Sequence, residues 1–304
     1  MKNKTLGTIA ILITVIAWGI SFISIKMLVD VISPMMLGLL RFSLSSAVIF
    51  LVMKGTGASL KVHKKDLPLL FFTGFIGTTI YFYFENNGIM LTTASVASII
   101  IATIPVFTIL GEALIYKTKP TWKLLFSIAL SVAGVLMVMD IDLKEIFSGN
   151  GLGYLLMIGA VFAWVVYSLA SKPLFKKYKE GTIAFYQSFF GMLMFIPFVF
   201  FETTYWDQIT TPMIGHLLFL ALIASAMGYY LYLYAIDQLG VGTSSLYINM
   251  IPVVTVIVSF LYLGESIGLL KVVGGVMVIA SVCLATYKPK GRVEKKVQKV
   301  MGAS

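Results

Sequence analysis

The chain contains ten stretches of about twenty mainly apolar residues, at approximately 5–29, 34–53, 67–88, 92–116, 122–140, 151–171, 181–201, 212–236, 242–263 and 267–287. Twenty residues in a helix, rising about 1.5 Å each, span the roughly 30 Å hydrocarbon core of a bilayer. A helix also satisfies every backbone donor and acceptor within its own segment, which lipid cannot do for it. Composition agrees. Only 12% of the 304 residues are charged and 59% are hydrophobic, whereas an average soluble domain is about 25% charged. The expected fold is an all-α integral membrane protein of ten transmembrane helices, with no room left for a soluble domain. The short basic start, Met1 to Thr5, runs into the first apolar stretch without a small-residue cleavage site. It reads as the lead of a retained span rather than a signal peptide.

The basic residues orient these spans. With the N-terminus in the cytoplasm, nineteen Lys and Arg fall on the cytoplasmic side, only Lys144 and Lys271 fall outside, and Lys26 and Arg41 lie within spans. So strong a bias is the positive-inside signature, and it places both termini in the cytoplasm of a multi-pass cell-membrane protein. The loop from Asp237 to Gly242 is the exception, since it has no basic residue. The net charge of +10 therefore reports topology and gives no reason to expect a nucleic-acid partner. The basic tail, residues 288–304, is expected to meet anionic lipid of the inner leaflet.

The chain repeats itself. At an offset of 146, Gly7, Ala17, Trp18 and Lys26 fall on Gly153, Ala163, Trp164 and Lys172. At 147, Ser98, Ile104, Pro105, Val106 and Thr108 fall on Ser245, Ile251, Pro252, Val253 and Thr255. Apolar segments match one another cheaply, but an almost constant register that includes Trp, Lys and Pro does not arise so easily. Five helices per repeat is an odd number, so the second repeat, 151–287, must enter the membrane from the side opposite to the first, 1–140. Two inverted five-helix repeats are a signature of secondary transporters.

In register, the residues also resemble the EamA-type carriers of the drug/metabolite transporter superfamily. The resemblance rests on Ala17-Trp18-Gly19 through Lys26, on Pro34 with Arg41-Phe42, and on Ser244-Ser245, Pro252-Val253 and Leu263-Gly264-Glu265. Lys117-Thr118-Lys119 stands where the first repeat would carry a Gly-Glu exit, so no role passes to Thr118. The resemblance implies an exporter of metabolites such as amino acids, with a central cavity shared by both repeats.

Candidate site residues follow from cost and depth. A charge at the centre of a membrane helix costs about 2.5–3.5 kcal/mol on insertion scales, and Lys26, Arg41 and Glu85 all fall in the outer third. Lys26 is expected to snorkel toward Asp30 and the headgroups. Arg41 and Glu85 either neutralise each other or serve as an outer gate and a contact for a substrate carboxylate, and both readings stay open. Trp18 and Trp164 lie roughly 18–20 Å along their helices, near the midplane, where tryptophan is unusual. They are expected either to pack helices or to wall a cavity offering cation–π contact. Thr103 and Asn249, close to Pro105 and Pro252 in the sequence, are hydrogen-bonding candidates. Pro105 and Pro252, each lacking a backbone donor, are expected to kink the fourth and ninth helices and act as hinges. Lys172 reads as an interfacial anchor and Glu112 as structural.

Rival functions lack their motifs. The chain has no Gly-Lys-Ser/Thr phosphate loop and no His-Glu-x-x-His. Cys283 is the one cysteine, and His63 and His216 are too scattered for a metal centre. No Ser–His pair is expected to share a membrane depth in a way that suggests a protease, since His216 falls near the outer start of the eighth span and His63 in a loop. No carbonyl filter or charged ring suggests a channel. The expected function is non-enzymatic, cofactor-free export of small metabolites, amino acids foremost, by alternating access, with a coupling proton or ion and a monomer sufficient. The alternative is a multidrug exporter of hydrophobic cations.

Overall fold

The computed structural model describes residues 3–115, 121–139, 149–239, 244, 247–248 and 250–286. Among them every regular element is helical. Helix α1 is Lys4–Leu28 and α2 is Pro34–Gly55. A single rod then runs through α3 (Leu67–Gly74), a wide π turn at Phe75–Ile80 and α4 (Tyr81–Met90). It is followed by α5 (Ala94–Ile101), α6 (Ile104–Ile115), α7 (Trp122–Met139), α8 (Gly149–Phe175) and α9 (Glu180–Val199). A second rod joins α10 (Thr211–Leu218), a π stretch at Phe219–Met227 and α11 (Gly228–Leu239). Helices α12 (Ile251–Leu263) and α13 (Leu269–Thr286) complete the described chain. Seven helical stretches among the described residues are long and apolar enough to cross a membrane, so this is a multi-pass membrane protein.

Helix α1 shows how the sequence divides its faces. Leu6, Ile9, Ile13 and Ile16, three or four apart, are exposed, while Gly7, Ala10, Thr14, Ala17 and Ser21 are buried. In lipid there is no hydrophobic drive between helices, so small and polar residues go inward, where backbones approach closely, and the large aliphatic ones face the chains. The packing then interleaves the two parts of the chain. Helix α1 lies along α11 and α12, α2 along α9, α4 along α8, and α7 along α13.

Hydrogen bonds tie both ends of the bundle across the same divide. At one end Glu202 accepts from the Met35 N–H at 2.8 Å. Glu265 there accepts from the Ala94 and Ser95 N–H groups at 3.0 and 3.3 Å. Each carboxylate caps a helix N-terminus, where free amides and the helix dipole favour negative charge. At the other end Asp66 receives Lys177 and the Tyr178 hydroxyl, each at 2.6 Å. Burial and that bond to Asp66 hold the Tyr178 hydroxyl above its ordinary pKa. The Thr182 hydroxyl donates to the Ser59 carbonyl at 2.8 Å beside them.

Two expectations change here. Pro105 and Pro252 do not kink continuous helices. The helix stops at Ala102–Thr103 and restarts at Ile104, which puts Pro105 second in α6, and Pro252 is likewise second in α12. First-turn positions have no intrahelical partner for their N–H groups, so a proline there sacrifices nothing. Lys26, for its part, does not reach for Asp30. All three of its donors are used on the carbonyls of Ile89, Met90 and Thr92, at 3.1, 2.9 and 2.9 Å, and it caps the C-terminus of α4. A helix end in lipid offers unsatisfied carbonyls and a partial negative charge, and these outcompete the exposed Asp30. Lys26→Met is therefore expected to lower stability by about 1.5–3 kcal/mol, the value of bonds to a charged group, in thermal unfolding. Lys26→Arg should recover most of that loss.

Candidate aromatic and charged cavity

The two mid-helix tryptophans meet. Their ring centroids are 5.8 Å apart and edge-to-face, at 85°. Tyr229 and Tyr232 stand 5.6 and 5.1 Å from Trp18, and Tyr81 stands 4.9 Å from Trp164. The wide turn of the second rod presents the Ala224 carbonyl to the Trp18 indole N–H at 2.9 Å. This bond fixes the ring and satisfies a polar atom that the membrane interior would otherwise leave bare. Gly228 makes room for it, since a Cβ there would lie 2.9 Å from Trp18 Nε1. The ring, wedged among other aromatics, has nowhere to go. Gly228→Ala is therefore expected to cost about 1–3 kcal/mol through overpacking, read by thermal unfolding. Gly215→Ala, with nothing within 4 Å, should show no loss.

Trp18, Trp164, Tyr81 and Tyr229 enclose a cavity together with Arg41 and Glu85. Its free space is about 40 Å³, enough for roughly three water molecules at about 10–15 Å³ each. Arg41 is 2% exposed. Its Nε donates to Ser225 Oγ at 2.5 Å, its guanidinium carbon sits 4.5 Å from the Phe82 ring centroid, and its Nη1 has no partner. Glu85, 4% exposed, accepts from the Tyr81 hydroxyl. Arg41 and Glu85 make no direct ion pair among the described contacts, but each favours the other's charge across the cavity, so both readings open from the sequence stay open. Two opposite charges thus line one cavity, each with hydrogen-bonding capacity left over.

Trp164, Ile104 and Ile248 also wall a second space, of about 30 Å³, whose other sides include Pro105, Thr108, Ser171 and Lys172. Beside it Gln187 is fully engaged, donating to Thr73 and Ser171 at 3.0 Å each and accepting from Tyr167 at 3.1 Å. Trp164, with Ile104 and Ile248, partitions the two spaces.

The remaining candidates fall elsewhere. The Thr103 hydroxyl turns back to the Ile100 carbonyl at 2.7 Å and is not part of the aromatic cavity wall. Pro252 faces a separate slot. Asn249 and the Glu112 side chain lie outside the described residues. Ser24 Oγ lies 3.0 Å from His216 Nδ1. Helix α10 packs on α1 and brings together residues 192 apart. Ser24 is 1% exposed, and among the described hydrogen bonds no carboxylate orients His216, so the pair lacks the access and the third member that nucleophilic catalysis requires. Among the described residues no His, Cys, Asp and Glu group could hold a metal. Ser225 went unnoticed in the sequence because nothing distinguishes it from other helix serines. Nothing distinguished Tyr81 from other helix tyrosines either, though its spacing of four residues from Glu85 puts both on one helix face.

A helical bundle built for lipid, with a small cavity of aromatics and opposite charges at its heart, has the architecture of a membrane transport protein. The chain belongs to the EamA-like transporter family, whose model matches residues 5–140 and again 151–287. It is 28% identical over 290 residues to an uncharacterized transporter of Archaeoglobus fulgidus, covering 95% of this chain and 99% of that one. It is 26% identical over 283 residues to a probable terminal-alkyne amino-acid exporter of Streptantibioticus cattleyicolor, covering 93% and 94%. A solved crystal structure shares the fold with a TM-score of 0.69 at 15% identity, over 93% of this chain and 98% of that one. The family and these relatives are named as transporters rather than as enzymes.

Proposed function

We propose that the protein exports small zwitterionic metabolites, amino acids foremost, by secondary active alternating access. The observation that carries this reading is an Arg41 guanidinium with one nitrogen unbonded and a Glu85 carboxyl group bonded only by Tyr81 among the described contacts, both on one aromatic cavity. A free amino acid has both complements, a carboxylate for Arg41 and an ammonium for Glu85, while the rings accept its side chain. Buried charges left without partners are costly, and a ligand that completes both gains what the empty site lacks. The name of the Streptantibioticus relative supports the same substrate class. The cavity, at about 40 Å³, must widen to admit a solute, and the interruptions ahead of Pro105 and Pro252 are where helices would bend. The double match of the family, the interleaved halves and the paired wide turns support ten helices in two inverted repeats. The basic-residue count supports cytoplasmic termini. A coupling proton or ion supplies the energy, and one chain suffices to build the cavity.

A second reading, export of hydrophobic cations, draws on the aromatic cluster around Trp18 and Trp164, whose ring faces attract such ions. One experiment separates the two. Purified protein is heated with amino acids, nucleosides or lipophilic cations, each at about a hundred times its Kd, where binding stabilises by roughly 2.7 kcal/mol. The proposal expects amino acids to stabilise the chain and Arg41→Gln to remove that effect. Stabilisation by cations alone, undiminished in Arg41→Gln, would favour the second reading.

A further inference from the structure

Helix α13 packs along α7 rather than along α12, its neighbour in sequence. The two consecutive helices splay from the 264–268 connection, and between them, with α5 as its floor, lies a slot of about 200 Å³. It shares no lining residue with the aromatic cavity. Ile99, Val256, Ile267 and Ile279 make its walls apolar. Val253, Ile257, Val272 and Val276, on its edges, are 45, 54, 47 and 60% exposed, so the slot opens on the lipid rather than on the transport path.

Its polarity is confined to one end. Ser95, in the first turn of α5, is 3% exposed, and its hydroxyl has no hydrogen-bond partner. Lys271 reaches the Ser266 carbonyl at 3.3 Å and makes no ion pair among the described contacts. The carboxylate nearby, Glu265, is held by the Ala94 and Ser95 amides and caps α5. The slot therefore offers a cation and an unused hydroxyl at the headgroup end, and a greasy trough leading away from them.

We propose that this slot binds one anionic glycerophospholipid, with its phosphate at Lys271, an ester carbonyl accepting from Ser95 Oγ, and an acyl chain along the trough. Each element answers one observation. A buried hydroxyl lacks an acceptor, an interfacial lysine lacks an anion, and an apolar trough facing the bilayer lacks a filling. A water-soluble solute would answer the first two but not the third. Gly275 supplies the means of test. A Cβ there meets only Ile99 Cδ1, at 3.6 Å, an ordinary contact, so a larger side chain enters the slot without displacing backbone.

The test uses the delipidated full chain in neutral detergent, titrated with phosphatidylglycerol or with phosphatidylcholine of the same chains. The readouts are thermal unfolding and native mass spectrometry. Phosphatidylglycerol is expected to raise the melting temperature and to leave one lipid per chain, and phosphatidylcholine to do so at least tenfold less effectively. Gly275→Leu should fold without lipid and lose the response. Lys271→Gln should lose the preference between the two lipids. Ser95→Ala should melt higher than the wild type without lipid, because a stranded hydroxyl is gone, and respond less to it. An equal response of the wild type to both lipids, no response at all, or an intact response in Gly275→Leu overturns the proposal. Masses showing two chains joined in the wild type but not in Gly275→Leu would also overturn it, making this face a contact between copies. None of these readouts depends on amino-acid transport.

Discussion

Arg41→Gln is expected to weaken amino-acid binding by about 10- to 150-fold, which corresponds to the loss of one charge-assisted hydrogen bond worth roughly 1.5–3 kcal/mol. The fold should survive. Glutamine keeps an amide that reaches Ser225, and burying it costs less than burying the guanidinium with an N–H unbonded. Arg41→Lys is expected to fall between the two, because lysine keeps the charge but lacks the planar fork that serves Ser225 and a ligand carboxylate together. Binding of lipophilic cations should stay the same or strengthen, since a like charge has left the cavity. Ligand-induced shifts in thermal unfolding read all three variants. Undiminished stabilisation of Arg41→Gln by amino acids would remove the guanidinium from the binding site.

Trp164→Ala should have the largest effect on stability, about 3–5 kcal/mol, as for other buried aromatic truncations. The ring is 5% exposed and packs against Trp18, Tyr81 and Tyr167 at centroid distances of 5.8, 4.9 and 5.1 Å. A second consequence is particular to its place. Trp164 stands between the cavity that holds Arg41 and Glu85 and the smaller one beside Lys172, so alanine joins the two. Ligand stabilisation should disappear, and proteoliposomes carrying the variant should leak substrate down its gradient without the driving ion. Trp164→Phe should restore tightness and most of the stability. A variant as tight and as responsive as the wild type would reduce the ring to helix packing.

The part of the site that was legible in the sequence was legible because it is expensive. Arg41 and Glu85 stood out as charges in apolar segments, and Trp18 and Trp164 as tryptophans at the wrong depth. The structure gathers all four around one cavity. Thr103 and the two prolines carried weaker signals, since a threonine hydroxyl can satisfy itself on its own helix, as Thr103 does on Ile100. A proline marks where a helix starts as readily as where one bends. Periodicity, the usual guide to which face is buried, was silent. On α1 both faces are apolar, with Leu6 and Ile9 outside and Ile11, Val15 and Phe22 within, alongside Gly7 and Ala10.

The sequence by itself determined that the chain is all-helical, lives in lipid and belongs with the EamA-like transporters. Segment length, charge scarcity and a register shared with a family are properties of the chain read in order. Only the tertiary structure decided who touches whom. It gave Lys26 to the end of α4 instead of Asp30, Ser225 to Arg41, Ser24 to His216, and left Arg41 and Glu85 unjoined. In a membrane the hydrophobic effect places helices in the bilayer but does not choose their neighbours. That choice falls to close packing and to the satisfaction of polar groups across helices, between residues 63 to 192 apart in these cases, which no local pattern records.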